Sequence, residues 1–96
     1  MTSKFTVRVE LHRATESDYE RLHEQMEASG FSRIITVDNT DYHLPPAEYS
    51  FRGDRTTQQV HDLAAAAAGG IRPAPAPAIL LTKSAGRFFS GLKQVL

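Results

Sequence analysis

Residues 4–12, KFTVRVELH, alternate strictly between polar and apolar side chains. Phe5, Val7, Val9 and Leu11 fall on one face, and Lys4, Thr6, Arg8, Glu10 and His12 on the other. Successive side chains of a strand point to opposite faces, so the stretch predicts a strand buried on one side and wetted on the other. A helix would scatter the same residues around its circumference. The strand therefore needs helices on its apolar side, and two segments have the pattern to supply them.

Thr15-x-x-Asp18 is a capping box, and Glu16, Asp18 and Glu20 sit in the first turn, where the helix dipole favours acids. Tyr19, Leu22 and Met26 follow at helical spacing, and Gly30 supplies a stop. Glu20, Glu24 and Glu27 make the outer face of this helix acidic. Thr56-x-x-Gln59 is a second capping box, followed by Val60, Leu63, Ala64 and Ala67. Alanine from 64 to 68 favours helix and permits close packing on a sheet, and Gly69-Gly70 end the helix.

Phe31–Asp38 reads as the second strand, and Asn39-Thr40-Asp41 as a turn. Pro45-Pro46 cannot donate to a ladder, which places Asp41–Pro46 in an extended loop and starts the third strand near Ala47, AEYSFRG. Ile71–Pro77 is a Pro/Ala-rich connector, Ala78–Lys83 the fourth strand, and 84–96 a short C-terminal helical segment carrying Phe88, Phe89, Leu92 and Val95. The order strand–helix–strand–strand–helix–strand with right-handed crossovers predicts an α+β, ferredoxin-like βαββαβ domain. Its four-stranded antiparallel sheet would carry two helices on one face, with residues 1–96 forming a single domain.

A chain of 96 residues buries a modest core, and a homodimer is a common remedy. The chain has no cysteine, so disulfides and thiolate metal sites are excluded, which fits a reducing cytoplasm. MTSKFTVRVELH lacks the apolar core of a signal peptide, and Ile79–Leu81 is far short of the roughly 20 residues that cross a bilayer. No membrane partner is expected. Net charge is zero, which argues against tight, non-selective nucleic-acid binding. The charge is unevenly placed: residues 1–62 hold all 11 acids and 7 of the Lys/Arg, while 63–96 hold 4 Lys/Arg and no acid. A basic rim near the C-terminus would suit phosphates or the acidic helix of a second subunit.

No glycine-rich phosphate loop, HExxH or Ser-His-Asp spacing occurs, and neither metal nor cofactor is expected. Tyr49 and Phe51 share one face of their strand, expected to be the core, so stacking of RNA bases on outward aromatics is disfavoured. Histidine titrates near neutrality and can move a proton during RNA cleavage by the 2′-hydroxyl. His12 closes the first strand and His23 lies on the first helix, and these two are the acid/base candidates. Arg8, Arg21 and Arg33 are candidate phosphate holders, and Arg52 and Arg55 flank Gly53-Asp54 as the most ligand-like pair.

The segments VRVELHRATESDYERLHEQMEASGFSR, LPPAEYSFRG and ILLTK together resemble the GhoS-like small-protein family over nearly the whole chain. The resemblance implies a ferredoxin-like fold similar to that of the small CRISPR-associated nucleases. It also implies the activity of a type V antitoxin, an endoribonuclease that cuts its toxin's messenger RNA. Where that family has an aspartate at the end of the first strand, this chain has His12; the position of its functional arginine is His23, with Arg21 two residues before. Messenger RNA is then the expected partner, and DNA is not. The alternatives are a non-catalytic homodimerising or protein-binding module and a ferredoxin-like small-ligand sensor.

Overall fold

The alternating N-terminal stretch forms β1 (Ser3–Glu10), which the remaining elements enclose: α1 (Glu16–Ala28), β2 (Ile34–Val37), β3 (Thr40–His43), β4 (Glu48–Gly53), α2 (Thr57–Gly69) and β5 (Ala78–Ser84). The computed structural model describes residues 2–71, 76–84 and 90–95. β1 lies in the middle of a three-stranded antiparallel sheet of order β4-β1-β5. Phe5, Val7 and Val9 are fully buried on one side of it. Leu22 and Met26 of α1, Val60, Ala64 and Ala68 of α2 and Tyr49 and Phe51 of β4 complete that core. Phe51 sits between Phe5 and Phe31, with ring centroids 6.2 and 5.1 Å away. The alanines of α2 let it approach β1 and β5 closely, as their small side chains require.

Both predicted capping boxes are formed. The Thr15 hydroxyl accepts from the Asp18 N–H while the Asp18 carboxylate accepts from the Thr15 N–H, and Thr56 and Gln59 repeat the exchange. Each thereby satisfies two donors that a helix start leaves open. α1 ends at Ala28, and Gly30 follows with φ +98°.

The four-stranded sheet is corrected to a three-stranded sheet plus a separate two-stranded one, β2-β3. The chain just before β2 approaches β4 through one isolated bridge, Ser32 to Ser50, closed by both backbone hydrogen bonds at 2.8 and 2.7 Å. Beyond Ser32 the chain pairs with β3 instead. The reason is the Asp38-Asn39 turn: both residues have positive φ, 50° and 62°, the geometry of a two-residue hairpin. The expected loop at Asp41–Pro46 is corrected accordingly, because Thr40–His43 is strand β3. The prolines restrict the chain only after His43. Pro46 and Ala47 then form a turn in which the Glu48 N–H donates to the Pro45 carbonyl, with Ala47 at φ +71°.

The expected C-terminal helix is also corrected within residues 90–95, none of which is helical. Gln94 bridges to Tyr42; the His43 N–H donates to the Lys93 carbonyl and the Val95 N–H to the Asp41 carbonyl. Gly91, at φ +74°, stands outside the helical region, and the free edge of β3 offers these residues a better set of partners than an isolated turn of helix does. Phe88 and Phe89 lie outside the described residues, as does the 72–75 part of the connector.

Two glycines should respond oppositely to alanine. A Cβ on Gly30 would stand 3.3 Å from the Phe51 ring on a backbone of positive φ, whereas one on Gly69 meets nothing within 4 Å. Gly30→Ala should lower stability by about 1–2 kcal/mol in urea unfolding. Gly69→Ala should leave it unchanged or raise it by up to about 1 kcal/mol.

Candidate nucleic-acid interface

The face of the sheet opposite the helices carries Lys4, Thr6, Arg8 and Glu10 from β1, Glu48, Ser50 and Arg52 from β4, and Leu80 and Thr82 from β5. Among the described residues it holds no aromatic side chain, and Tyr49 and Phe51 are buried beneath the helices, so these strands offer bases no ring to stack on. What the face offers is charge. The Arg8 Nε donates to Glu10 at 2.9 Å, and Glu48 is its direct cross-strand neighbour, so this end of the face carries two carboxylates against one guanidinium.

Lys4 and Arg52 are different. They are direct cross-strand partners, and among the described residues no carboxylate pairs with either. The hydrogen-bond pattern brings them close. The Val9 N–H donates to the Ala47 carbonyl, so Val9/Ala47, Val7/Tyr49 and Phe5/Phe51 are the hydrogen-bonded pairs of the ladder. Lys4/Arg52 is then a non-hydrogen-bonded pair, the type whose side chains lie nearer each other. Like charges directly opposite one another destabilise a sheet. An anion seated between them would turn that repulsion into attraction. The splay of β2 from β4 opens a cleft of about 260 Å³ beside this pair, lined also by Ser32, Ile34, Thr36 and Ser50.

The expected site residues do not gather at one place. Arg8 and Arg52 lie on the open face, and Arg55 is exposed in the loop after β4. His12 is exposed in the turn after β1, at the opposite end of the sheet from Arg52, beyond the run of β1 from Lys4 to Glu10 that by itself spans about 20 Å. Arg21 is on α1, bonded to the Asp18 carboxylate. Lys83 and Lys93 of the basic tail sit on β5 and beside β3, at opposite edges, and Arg72 and Arg87 lie outside the described residues. Lys4 was missed by the sequence reading. Alternation put it on the wetted face, but only the β1–β4 register sets it against Arg52.

His23 belongs to a second cluster, between α1 and β4. Its Nδ1 lies 2.5 Å from the Tyr49 hydroxyl, and the rings are 5.7 Å apart. Burial lowers the His23 pKa, and the nearby Arg33 charge lowers it further; Glu27 and Glu20 act in the opposite sense. Burial pushes the Tyr49 phenol far above its ordinary value. At neutral pH the phenol is therefore protonated and the imidazole neutral. Tyr49 donates, Nδ1 accepts, and the ring proton resides on Nε2. The Arg33 Nε is buried without a hydrogen-bond partner among the described groups. His12 and His23 are joined by no hydrogen bond or ring contact, and His23 stands about 10 Å along α1 from the helix start that His12 precedes.

The His23 pKa predicts how stability follows pH. A folded-state value below the unfolded value of about 6.5 means that the unfolded chain binds more protons in that window. Its contribution is complete above pH 6.5 and is lost as pH falls through the folded value. Urea unfolding should show stability decreasing from pH 7 to pH 5, and His23→Gln should flatten that decrease. The Asp18 carboxyl is also held low, by the Thr15 backbone bond and then Arg21, but its contribution is lost only below pH 3.8. Tyr49→Phe, which strips Nδ1 of its donor, should cost about 1 kcal/mol.

Comparison with protein-family models, with curated proteins and with solved structures gives no match to this chain.

Proposed function

We propose that this protein binds single-stranded RNA through phosphate contacts on the open face of its sheet, in the manner of a GhoS-like antitoxin acting on messenger RNA. The observation that carries the reading is the unneutralised cross-strand pair Lys4–Arg52 on a wetted sheet face. Strand order supports the ferredoxin-like βαββαβ reading. Each β-α-β unit, β1-α1-β2 and β4-α2-β5, skips one strand, with Ser32 attached to the outer edge of β4. Single strands suit this face better than duplexes, since its cations cluster at one end instead of forming a long stripe.

Binding, and not two-histidine cleavage, is what this geometry favours. An acid and a base acting on one phosphodiester must both reach it within hydrogen-bond distance, directly or through one water. His12 is exposed in a turn, while the Nδ1 of His23 is committed to a buried tyrosine. A homodimerising module is the second reading. It is favoured by Leu80, 68% exposed on β5, a strand whose outer edge has no partner among the described residues.

Fluorescence anisotropy with a labelled single-stranded RNA tests the first reading. Lys4→Glu/Arg52→Glu should weaken binding by about tenfold to a hundredfold, with His12→Ala/His23→Ala close to wild type. The same RNA should stay intact with wild-type protein. Cuts that the double histidine variant loses would overturn the binding-only reading, and equal affinity of wild type and the charge-reversed variant would remove the open face from it. Sedimentation of a Leu80→Asp variant separates the dimer reading, which requires it to be monomeric where wild type is not.

A further inference from the structure

The gap between the two sheets is more specific than a charged surface. The chain touches β4 at the antiparallel Ser32–Ser50 bridge and then turns away as β2 to pair with β3, while on the other side of the bridge Arg52 falls opposite Gly30 with no ladder bond between them. Backbone groups alternate along a strand. The Ser50 N–H points outward to Ser32, so the N–H of Arg52 points the same way, toward Gly30, which lines the cleft with it. That N–H has no backbone acceptor among the described residues. One end of the cleft therefore presents the Lys4 ammonium, the Arg52 guanidinium and a main-chain donor, a set suited to the three oxygens of a phosphate.

The other end is chemically opposite. The Thr36 hydroxyl donates to the Asp41 carboxylate at 2.5 Å, and the Ser32 hydroxyl donates to the Ile34 carbonyl at 3.2 Å. With their hydrogens committed, both oxygens act as acceptors, Ser32 with one lone pair left after it accepts from the Ile34 N–H at 3.1 Å, and Asp41 repels a second anion. This end accepts hydroxyl donors and refuses phosphate. Ile34, 38% exposed, forms an apolar shelf beside it. The volume, about 260 Å³, is below the range of roughly 300–1,000 Å³ typical of pockets that enclose a drug-sized ligand, so the cleft holds a single phosphate and ribose and leaves a base at its open rim.

We propose that the cleft between β2 and β4 is a one-nucleotide subsite. The phosphate lies between Lys4 and Arg52, the ribose hydroxyls donate to Ser32 and Thr36, and the base rests on Ile34. The subsite deepens the RNA-binding reading and rests on it for its biological ligand, but it is testable with a free nucleotide.

Amide-resolved NMR on the full chain tests it, with separate titrations of AMP, inorganic phosphate, adenosine and a short single-stranded RNA. AMP should shift the amides of Arg52, Ser32 and Thr36, more tightly than phosphate, with adenosine weakest. Lys4→Gln and Arg52→Gln should each weaken AMP by about tenfold, and Arg52→Lys less, since it keeps the charge without the planar fork. Unchanged spectra away from the cleft would show that the variants fold. RNA that binds while AMP leaves the cleft amides unmoved would overturn the subsite and leave the RNA reading standing. AMP bound in the cleft with no RNA binding would support the subsite and sink the RNA reading. Phosphate binding as tightly as AMP would overturn the nucleotide assignment.

Discussion

β1 is hydrogen-bonded on both sides, to β4 and to β5, and its alternating residues leave a choice of only two orientations. Burying Phe5, Val7 and Val9 beneath the helices removes one of them, since a register slip of one residue would drive Lys4, Thr6 and Arg8 into the core. Burial of each such side chain contributes roughly 1.5–3 kcal/mol, while a charge placed there would cost more. The same choice fixes the open face. Because Val7 meets Tyr49 and Phe5 meets Phe51 inside, Lys4 must meet Arg52 outside. The candidate site is thus the reverse side of the core.

Position in the fold also explains why the histidines divide. His12 lies past the end of β1, exposed in a turn. His23 falls on the inner flank of α1, next to the stripe of Leu22 and Met26, and meets the buried Tyr49 hydroxyl. That contact gives a buried phenol the partner it needs, and so the bond reads as structural satisfaction of a polar group. A histidine held in this way follows the core and not the solvent, which is why its protonation belongs to the stability of the fold.

Much of the fold was legible because its signals are local. The alternation of 4–12, the two capping boxes, Gly30 and the Val-Ala stripe of α2 each act within a few residues and each is realised, although the strand ends at Glu10 and leaves His12 in the turn beyond it. The β2–β3 hairpin was not. Pro45-Pro46 drew attention to where pairing must stop, while the decisive turn at Asp38-Asn39 has no glycine to mark it. Gln94 pairing with Tyr42, more than fifty positions away, has no local signature at all. The site divides on the same line. Arg8 and Arg52 could be placed on a face from sequence, but the Lys4–Arg52 contact depends on a register between distant strands, and the cleft on the splay of a hairpin that periodicity does not show.

If paired cations on the open sheet face hold RNA by its phosphates, the affinity must fall as salt rises, and its salt dependence is the decisive measurement. Each phosphate neutralised on a single strand adds about −0.7 to the slope of log K against log salt. Replacing Lys4 and Arg52 together with Gln should make the wild-type slope shallower by about 1.4 and weaken binding at low salt. A wild-type affinity that ignored salt, or a slope that the double substitution left unchanged, would contradict the account.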